Sequence, residues 1–348
     1  MLAQVQRSFG GPEAFAFEEV ADAVAAPGEL LIEVRACGLN RLDLLQRVAP
    51  LVRGFTLPHI AGMDVAGVVV AHGADVDPSA LPVGTEVLVD PVATCGTCDR
   101  CTSGHAPYCE ELRTIGSTRF GGFAELVAAP ATHAHRIPGG MSFVEAAALP
   151  VPYITAWHAL MVAGRVRPGE VVLVNAAASG VSTAIVQLAK LAGATVIGTI
   201  GGSERIHLAE SLGCDHVIDH RAQDIGHAVA DITHGRGVDL AIDHVGPSLF
   251  ADTVKALAIE GRLVFCGTTS GTRAELDLPA VYHWGRTLIG AGGYQQHEFT
   301  DLLAAIERGG LRPTIDSVWP FSELPAAQER METGGFFGRL IVEMSARR

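Results

Sequence analysis

The sequence predicts an α/β protein: a doubly wound parallel sheet joined to a second, mainly β domain. Three observations carry this reading. Beyond about residue 150, apolar runs of strand length alternate with segments of helical periodicity. Before it, short alternating or apolar stretches are broken by Gly and Pro, as strands joined by turns are. Within that earlier part, four cysteines stand in a C-x2-C-x2-C-x7-C run.

In the first region, residues 30–35, 67–71 and 86–89 read as strands. In the second, the apolar run 171–177 leads into a helical pattern over 181–193, and 195–200 leads into 203–213. The runs 216–219, 238–245 and 262–267 follow, with helical segments between them. Near-continuous apolar strands separated by helices imply a parallel sheet covered on both faces, which is a Rossmann nucleotide-binding architecture. From about Leu288 the chain is expected to return to the first domain, because residues 337–342 form a further strand with no place in the repeat. The expected division is 1–152 for the mainly β domain (cysteine lobe about 91–112), 153–290 for the nucleotide-binding domain and 291–348 for the return.

Composition narrows the function classes. The 348 residues are 48% hydrophobic and 18% charged, a globular balance with room for two cores. A formal net charge of −13 opposes nucleic acid and anionic membrane surfaces as partners. The N-terminal stretch has no apolar core with a small-residue cleavage site, and no run of 18 apolar residues occurs, so a cytoplasmic, membrane-free protein is expected.

Cys95, Cys98, Cys101 and Cys109 read as one closed tetrahedral zinc site. Thiolates are preferred soft ligands for Zn²⁺, and two-residue gaps let a turning backbone aim successive sulfurs at one point. Four protein ligands leave no open position, so such an ion shapes a lobe and does no chemistry. Two disulfides, separate thiols or an iron–sulfur cluster are the competing readings. Cys37, Cys214 and Cys266 lie in apolar surroundings and read as core thiols.

The turn after the first strand of the second region is residues 176–182. Small residues between a strand and a helix let backbone N–H groups and the helix dipole meet a pyrophosphate. Against a G-x-G-x-x-G template, Ala177, Ser179 and Ser182 hold the glycine positions and only Gly180 remains a glycine. The second strand ends at residues 199–205, where Ile200 and Gly201 offer no acid for a ribose 2′-hydroxyl; Ser203 and Arg205 offer a hydroxyl and a cation, which suits the 2′-phosphate of NADP(H). The bland alternative makes Ser203 a helix cap and Arg205 a solvated charge.

Taken together, the cysteine lobe, the late nucleotide-binding region and the return strand resemble the zinc-containing medium-chain dehydrogenase/reductase superfamily, over nearly the whole length. Residues 27–43, 61–69, 121–127, 145–160 and 336–343 carry the resemblance. It implies a GroES-like first domain, a nicotinamide cofactor, a small-molecule substrate and a homodimer or homotetramer. Zinc alcohol dehydrogenases of the superfamily place catalytic-metal ligands where this chain has Asn40, Met63–Asp64 and Val151, and a proton-relaying hydroxyl where it has Leu42. A thioether, a valine and an amide cannot hold such an ion, so a catalytic zinc is not expected.

The N-x-x-D of residues 40–43 and the G-x-D of residues 62–64 resemble the quinone oxidoreductase branch, although Leu51 stands where that branch often has Tyr and the cysteine lobe is retained. The activity implied is NADPH-dependent hydride transfer to a quinone or α,β-unsaturated carbonyl, carrier-bound or CoA-bound enoyl substrates included. A zinc alcohol dehydrogenase with atypical ligands and a non-catalytic NADPH binder are the alternatives. By resemblance, Asn40 meets the nicotinamide end or the substrate, and Thr155 lies beside the nicotinamide. Ser179, Gly180 and Val181 meet the pyrophosphate, and Arg339 reaches the cofactor. Asn40, Asp43 and Tyr153 are the catalytic candidates; His59 and His158 are further groups able to exchange a proton.

Overall fold

A computed structural model describes residues 1–345. The chain forms two compact units, residues 1–151 with 303–348, and residues 152–302. The return to the first unit thus begins at residue 303, twelve residues later than the expected 291. Residues 287–290 form a strand of the second unit, and His158 bonds both Glu298 and the Ala291 carbonyl, which holds residues 291–298 there.

The first unit is built on antiparallel pairing. Its largest sheet runs in the order Ala134–Arg136, Glu86–Val89, Asp64–His72, Glu29–Gly38, Arg339–Glu343, Ile315–Pro320, with Leu126–Pro130 also pairing Glu29–Gly38. Along the central strand Leu30, Ile32, Val34 and Ala36 are buried at every second position, the alternation of a sheet with one covered face. The side chains of Leu30, Ile32 and Val34 join Val65, Val69, Val87, Leu126, Leu340 and Val342 in one apolar core.

The return strand enters between Glu29–Gly38 and Ile315–Pro320, as its apolar sequence without a place in the repeat requires. This ladder assembles distant residues: Gly38 pairs with Asp64 on one side and with Ile341 on the other. Asn40, Asp64 and Arg339 are thereby brought together. Asn40 opens helix α1 (Arg41–Val48), whose capping box pairs it with Asp43.

The second unit has six parallel strands, β1 (Val171–Val174), β2 (Thr195–Ile200), β3 (His216–Asp219), β4 (Val238–Asp243), β5 (Leu257–Phe265) and β6 (Thr287–Gly290). Their order is β3-β2-β1-β4-β5-β6. Strand order therefore reverses between β1 and β4, the point at which open α/β sheets bind nucleotides beyond the strand carboxyl ends. Val172, Leu173, Val174, Leu240, Ala241 and Ile242 are fully buried, as continuous apolar strands in a doubly covered sheet should be. Helix α2 (Gly180–Leu191) follows β1, with the Ser179 hydroxyl capping it through the Ser182 N–H. No helix among the described residues is long and apolar enough to cross a membrane.

Candidate active site and metal centre

The cysteine lobe lies between the short strands Val92–Ala93 and Arg113–Thr114, which pair antiparallel and close its neck. Four Sγ–Sγ separations are 3.8 Å (Cys95–Cys101), 3.5 Å (Cys98–Cys101), 3.9 Å (Cys98–Cys109) and 3.5 Å (Cys95–Cys109). Four thiolates at about 2.3 Å from a tetrahedral zinc stand about 3.8 Å apart, so the sulfurs fit the ion. Among the described residues this is the one group of three or more metal-ligating side chains within mutual reach.

Backbone N–H groups already favour thiolate here. Those of Thr97 and Cys98 hold Cys95 down at about 6, and those of Glu110 and Cys101 lower Cys98. Burial, then the neighbouring sulfurs, push Cys101 up to about 12; four crowded thiols cannot all ionise without a cation among them.

The second site of the first unit surrounds Asp64, which is wholly buried. Its Oδ2 accepts from Asn40 Nδ2 at 2.9 Å and from Arg339 Nη2, while Oδ1 accepts from the Val151 N–H at 2.8 Å. Arg339 Nη1 donates to Asn40 Oδ1 at 3.2 Å, closing a ring of amide, carboxylate and guanidinium. Burial raises Asp64, and Arg339 is the largest force against it. A Cβ at Gly38 would stand 2.5 Å from the Ala147 carbonyl oxygen and 2.6 Å from Arg339 Nη2, so glycine leaves room both for that backbone and for the guanidinium at Asp64. Asp43 lies beside the ring: its Oδ2 accepts from the Asn40 N–H at 2.7 Å, and burial pushes its carboxyl up to about 7.

In the second unit, the turn after β1 rests on buried polar contacts. Asn175 Nδ2 donates to Asp243 Oδ1 at 3.1 Å and Thr253 Oγ1 at 2.8 Å, while Thr199 Oγ1 accepts from the Ala176 N–H. Ala176 sits at φ 50°, the one strained step of the turn. Ser182 Oγ donates to the Asn175 carbonyl at 2.6 Å, and His244, just past β4, brings Nε2 within 2.9 Å of Ser179 Oγ and 2.8 Å of Ser182 Oγ.

Past β2, Arg205 Nη2 donates to the Gly201 carbonyl at 2.8 Å and Nε reaches Glu204 at 3.3 Å. A Cβ on Gly201 would meet Arg221 Nε at 3.1 Å and His220 Nε2 at 3.2 Å. Three nitrogen-rich side chains thus gather around Gly201, just past the end of β2.

Comparisons with known proteins agree with this layout. Residues 26–139 match the alcohol dehydrogenase GroES-like domain and residues 180–308 match the zinc-binding dehydrogenase family. The synaptic vesicle membrane protein VAT-1 homolog of Rattus norvegicus is 32% identical over 91% of this chain and 77% of its own length. The chain belongs to the medium-chain dehydrogenase/reductase superfamily. The quinone oxidoreductase of Sus scrofa is 29% identical over 96% of this chain and 95% of its own. A solved NAD-dependent alcohol dehydrogenase, 33% identical, superposes with TM-score 0.94 over 99% of this chain and 100% of its own.

Within this superfamily frame the expected site residues separate. Asn40 and Asp43 converge with Asp64, as do the four cysteines with one another. Ser179, Gly180 and Val181 open α2, Ser203 begins a short 3-10 turn with an exposed side chain, and Thr155 is half-buried on the helix Pro150–Trp157. Two expected roles meet different surroundings. Arg339, expected at the cofactor, is bound to Asp64 and Asn40. Tyr153, expected to be catalytic, is buried with its hydroxyl donating to Gln187 Oε1 at 2.9 Å, and burial raises it further from any proton-donating range.

Sequence reasoning missed His244, His220 and Arg221. The available signal was position: His220 and Arg221 follow the predicted strand 216–219, and His244 lies at the carboxyl end of the predicted run 238–245, where α/β ligands sit. His158 proves to be a clamp, since both ring nitrogens face acceptors, Glu298 Oε2 at 2.8 Å and the Ala291 carbonyl at 2.6 Å. Glu298 raises it, favouring the imidazolium those two bonds need.

Proposed function

We propose that the protein is an NADPH-dependent reductase of an electron-poor acceptor, a quinone or an α,β-unsaturated carbonyl, working without a catalytic metal. The observation that carries the reading is the ring around Asp64. The positions at which zinc alcohol dehydrogenases hold their ion contribute an amide, a thioether, a saturated carboxylate and a backbone N–H, and the cation beside them is Arg339. Without a Lewis acid to polarise a simple carbonyl, the accessible acceptors are those whose developing charge is already delocalised.

The bound nicotinamide would supply the hydride. Asn40, held by Asp64 and Arg339, would orient the reacting partners and donate to developing negative charge, and Thr155 would border the ring. Ser179, Gly180 and Val181 would bind the pyrophosphate at the start of α2. Arg205, with Arg221 and His220 beside Gly201, supports NADPH over NADH, and Ser203 offers a hydroxyl to the same phosphate. Asp43, titrating near neutrality one hydrogen bond from Asn40, is the remaining protein group suited to exchange a proton there. The four cysteines would hold one structural zinc.

A cytoplasmic homodimer or homotetramer is part of the same reading; β6 is an edge strand, with Leu278, Tyr282 and Trp284 exposed nearby in sequence. The deciding experiment is NADPH oxidation with a panel of quinones and enones, alongside zinc analysis. Turnover with these acceptors and one zinc per chain supports the proposal. Two zincs per chain with efficient oxidation of simple alcohols would overturn it in favour of an alcohol dehydrogenase, and tight NADPH binding with no turnover would favour a binder.

A further inference from the structure

The turn after β1 has none of the three glycines of its template: Ala177 holds the first position, and serines hold the second and third. Each serine brings a hydroxyl proton whose destination matters. Ser182 spends its proton on the Asn175 carbonyl at 2.6 Å. Toward His244 Nε2, 2.8 Å away, Ser182 Oγ is therefore an acceptor, and Nε2 carries the hydrogen. The same N–H lies 2.9 Å from Ser179 Oγ, which also accepts from the Ser182 N–H at 3.0 Å. Both acceptor positions of Ser179 Oγ are thereby engaged from within the protein. Its one proton is left to point at an incoming acceptor.

We propose that His244 is a positioning residue for the dinucleotide: its Nε2–H sets the Ser179 hydroxyl as a donor to the pyrophosphate, and its ring takes up a proton when that anion binds. The inference rests on the nucleotide-binding reading above and adds to it a residue and a linked proton. The serines are then a built replacement for the missing glycines, exchanging closer backbone approach for an oriented hydroxyl.

The surroundings allow the linkage. Burial lowers His244, with Asp243 as the largest opposing influence, so the ring is neutral at neutral pH in the free protein. Asp243, the nearest charge, is occupied by Asn175 and by the N–H groups of Val245 and Gly246. Cys266, entering from the end of β5, is pushed up to about 12 by burial and stays a neutral thiol. From α2 the ring faces Ser179 and Ser182, neither charged. A doubly negative pyrophosphate would be the strongest charge near His244 and would raise it. Affinity should rise as pH falls, by at most about tenfold per pH unit for a single linked proton.

The test is calorimetric titration of the full-length protein with NADPH and with NADH, in buffers of different ionisation enthalpy, from about pH 8 to about pH 6. NADH serves as the control because it carries the pyrophosphate without a 2′-phosphate that itself titrates near pH 6. Expected for the wild type is uptake of a fraction of a proton with both cofactors and several-fold tighter binding at the acid end. His244→Gln keeps an amide donor at the Nε2 position: its alkaline affinity should stay within about threefold of wild type, while the proton uptake and the acid gain disappear. Ser179→Ala should bind about tenfold more weakly at every pH and retain the uptake. Binding of NADH without proton uptake by the wild type overturns the proposal whatever the variants do, and uptake undiminished in His244→Gln overturns it as well. Failure of the wild type to bind either dinucleotide would instead remove the nucleotide reading on which it stands.

Discussion

The cysteine lobe and the Asp64 ring are both polar knots within one folding unit, and they differ in where the balancing cation comes from. Around Asp64 the chain supplies its own, the guanidinium of Arg339, together with amide and backbone donors that use up the carboxylate. In the lobe, four sulfurs are helped by backbone N–H groups, yet crowding still drives Cys101 up to about 12. The first knot is electrically complete as folded. The second has no cation of its own, which is why we read it as a metal centre and the ring as a site that needs none.

The largest effect that would break this contrast is removal of the lobe's metal. Structural zinc contributes on the order of 10 kcal/mol to small metal-dependent units, so chelation or Cys101→Ser should strip the ion and lower the thermal midpoint or the yield of soluble protein. Zinc per chain measured beside the melting curve checks it: a variant that has lost its zinc and melts like wild type would show the lobe to be self-sufficient after all. Next in size is Arg339→Met, which strands a buried Asp64. Breaking such a pair typically costs about 3–5 kcal/mol. Denaturant unfolding should register that loss while zinc content stays at the wild-type value, because the two knots share no ligand. A loss of zinc in this variant would mean the ring, too, holds an ion.

A third effect comes from Asp43, whose carboxyl titrates at about 7 because it is buried. In the unfolded chain it titrates near about 4. The folded state therefore holds the proton more tightly, and the associated stability is fully present below about pH 4 and lost as pH rises to about 7, a change of a few kcal/mol at most. Asp43→Asn keeps a carbonyl to accept from the Asn40 N–H and has no proton to lose. Its stability should be flatter across that window than that of wild type; an unchanged slope would show that Asp43 is not the titrating group.

How much of this was legible in the sequence follows from the same contrast. The cysteines are contiguous and of one chemical type, so spacing alone announced them. The ring is assembled from residues up to 299 positions apart, and only the pairing of Gly38 with both Asp64 and Ile341 shows that Asn40, Asp64 and Arg339 meet. Arg339 is expected at the cofactor by resemblance alone, which carries a position over and not its partners. Tyr153 looked catalytic for a similar reason, since burial against Gln187 leaves no local mark. The strands were readable where burial alone sets the pattern: the runs at residues 86–89 and 195–200 have the observed bounds. The return boundary was not, because residues 287–290 carry too short an apolar run to distinguish a sixth parallel strand from the start of the return.

The smallest effect asks whether a partly committed donor can still read a ligand. Arg205 is neither complete, like Arg339, nor waiting wholly on a partner, like the cysteines: it donates to the Gly201 carbonyl and reaches Glu204, and its side chain is 18% exposed. Those bonds hold the guanidinium against the end of β2, so less side-chain entropy remains to be lost when a 2′-phosphate arrives. Glu204 works the other way, since a carboxylate beside the guanidinium offsets part of its charge. Arg205→Ala should therefore weaken NADPH relative to NADH by about 1–3 kcal/mol, nearer the lower end, with Arg221 and His220 retaining part of the preference. Glu204→Gln should shift the preference further toward NADPH. Parallel titrations with both cofactors decide the matter: an equal loss for NADPH and NADH in Arg205→Ala would mean that the bond to Gly201 is the side chain's whole role, and that it belongs with Arg339 among the donors the protein keeps for itself.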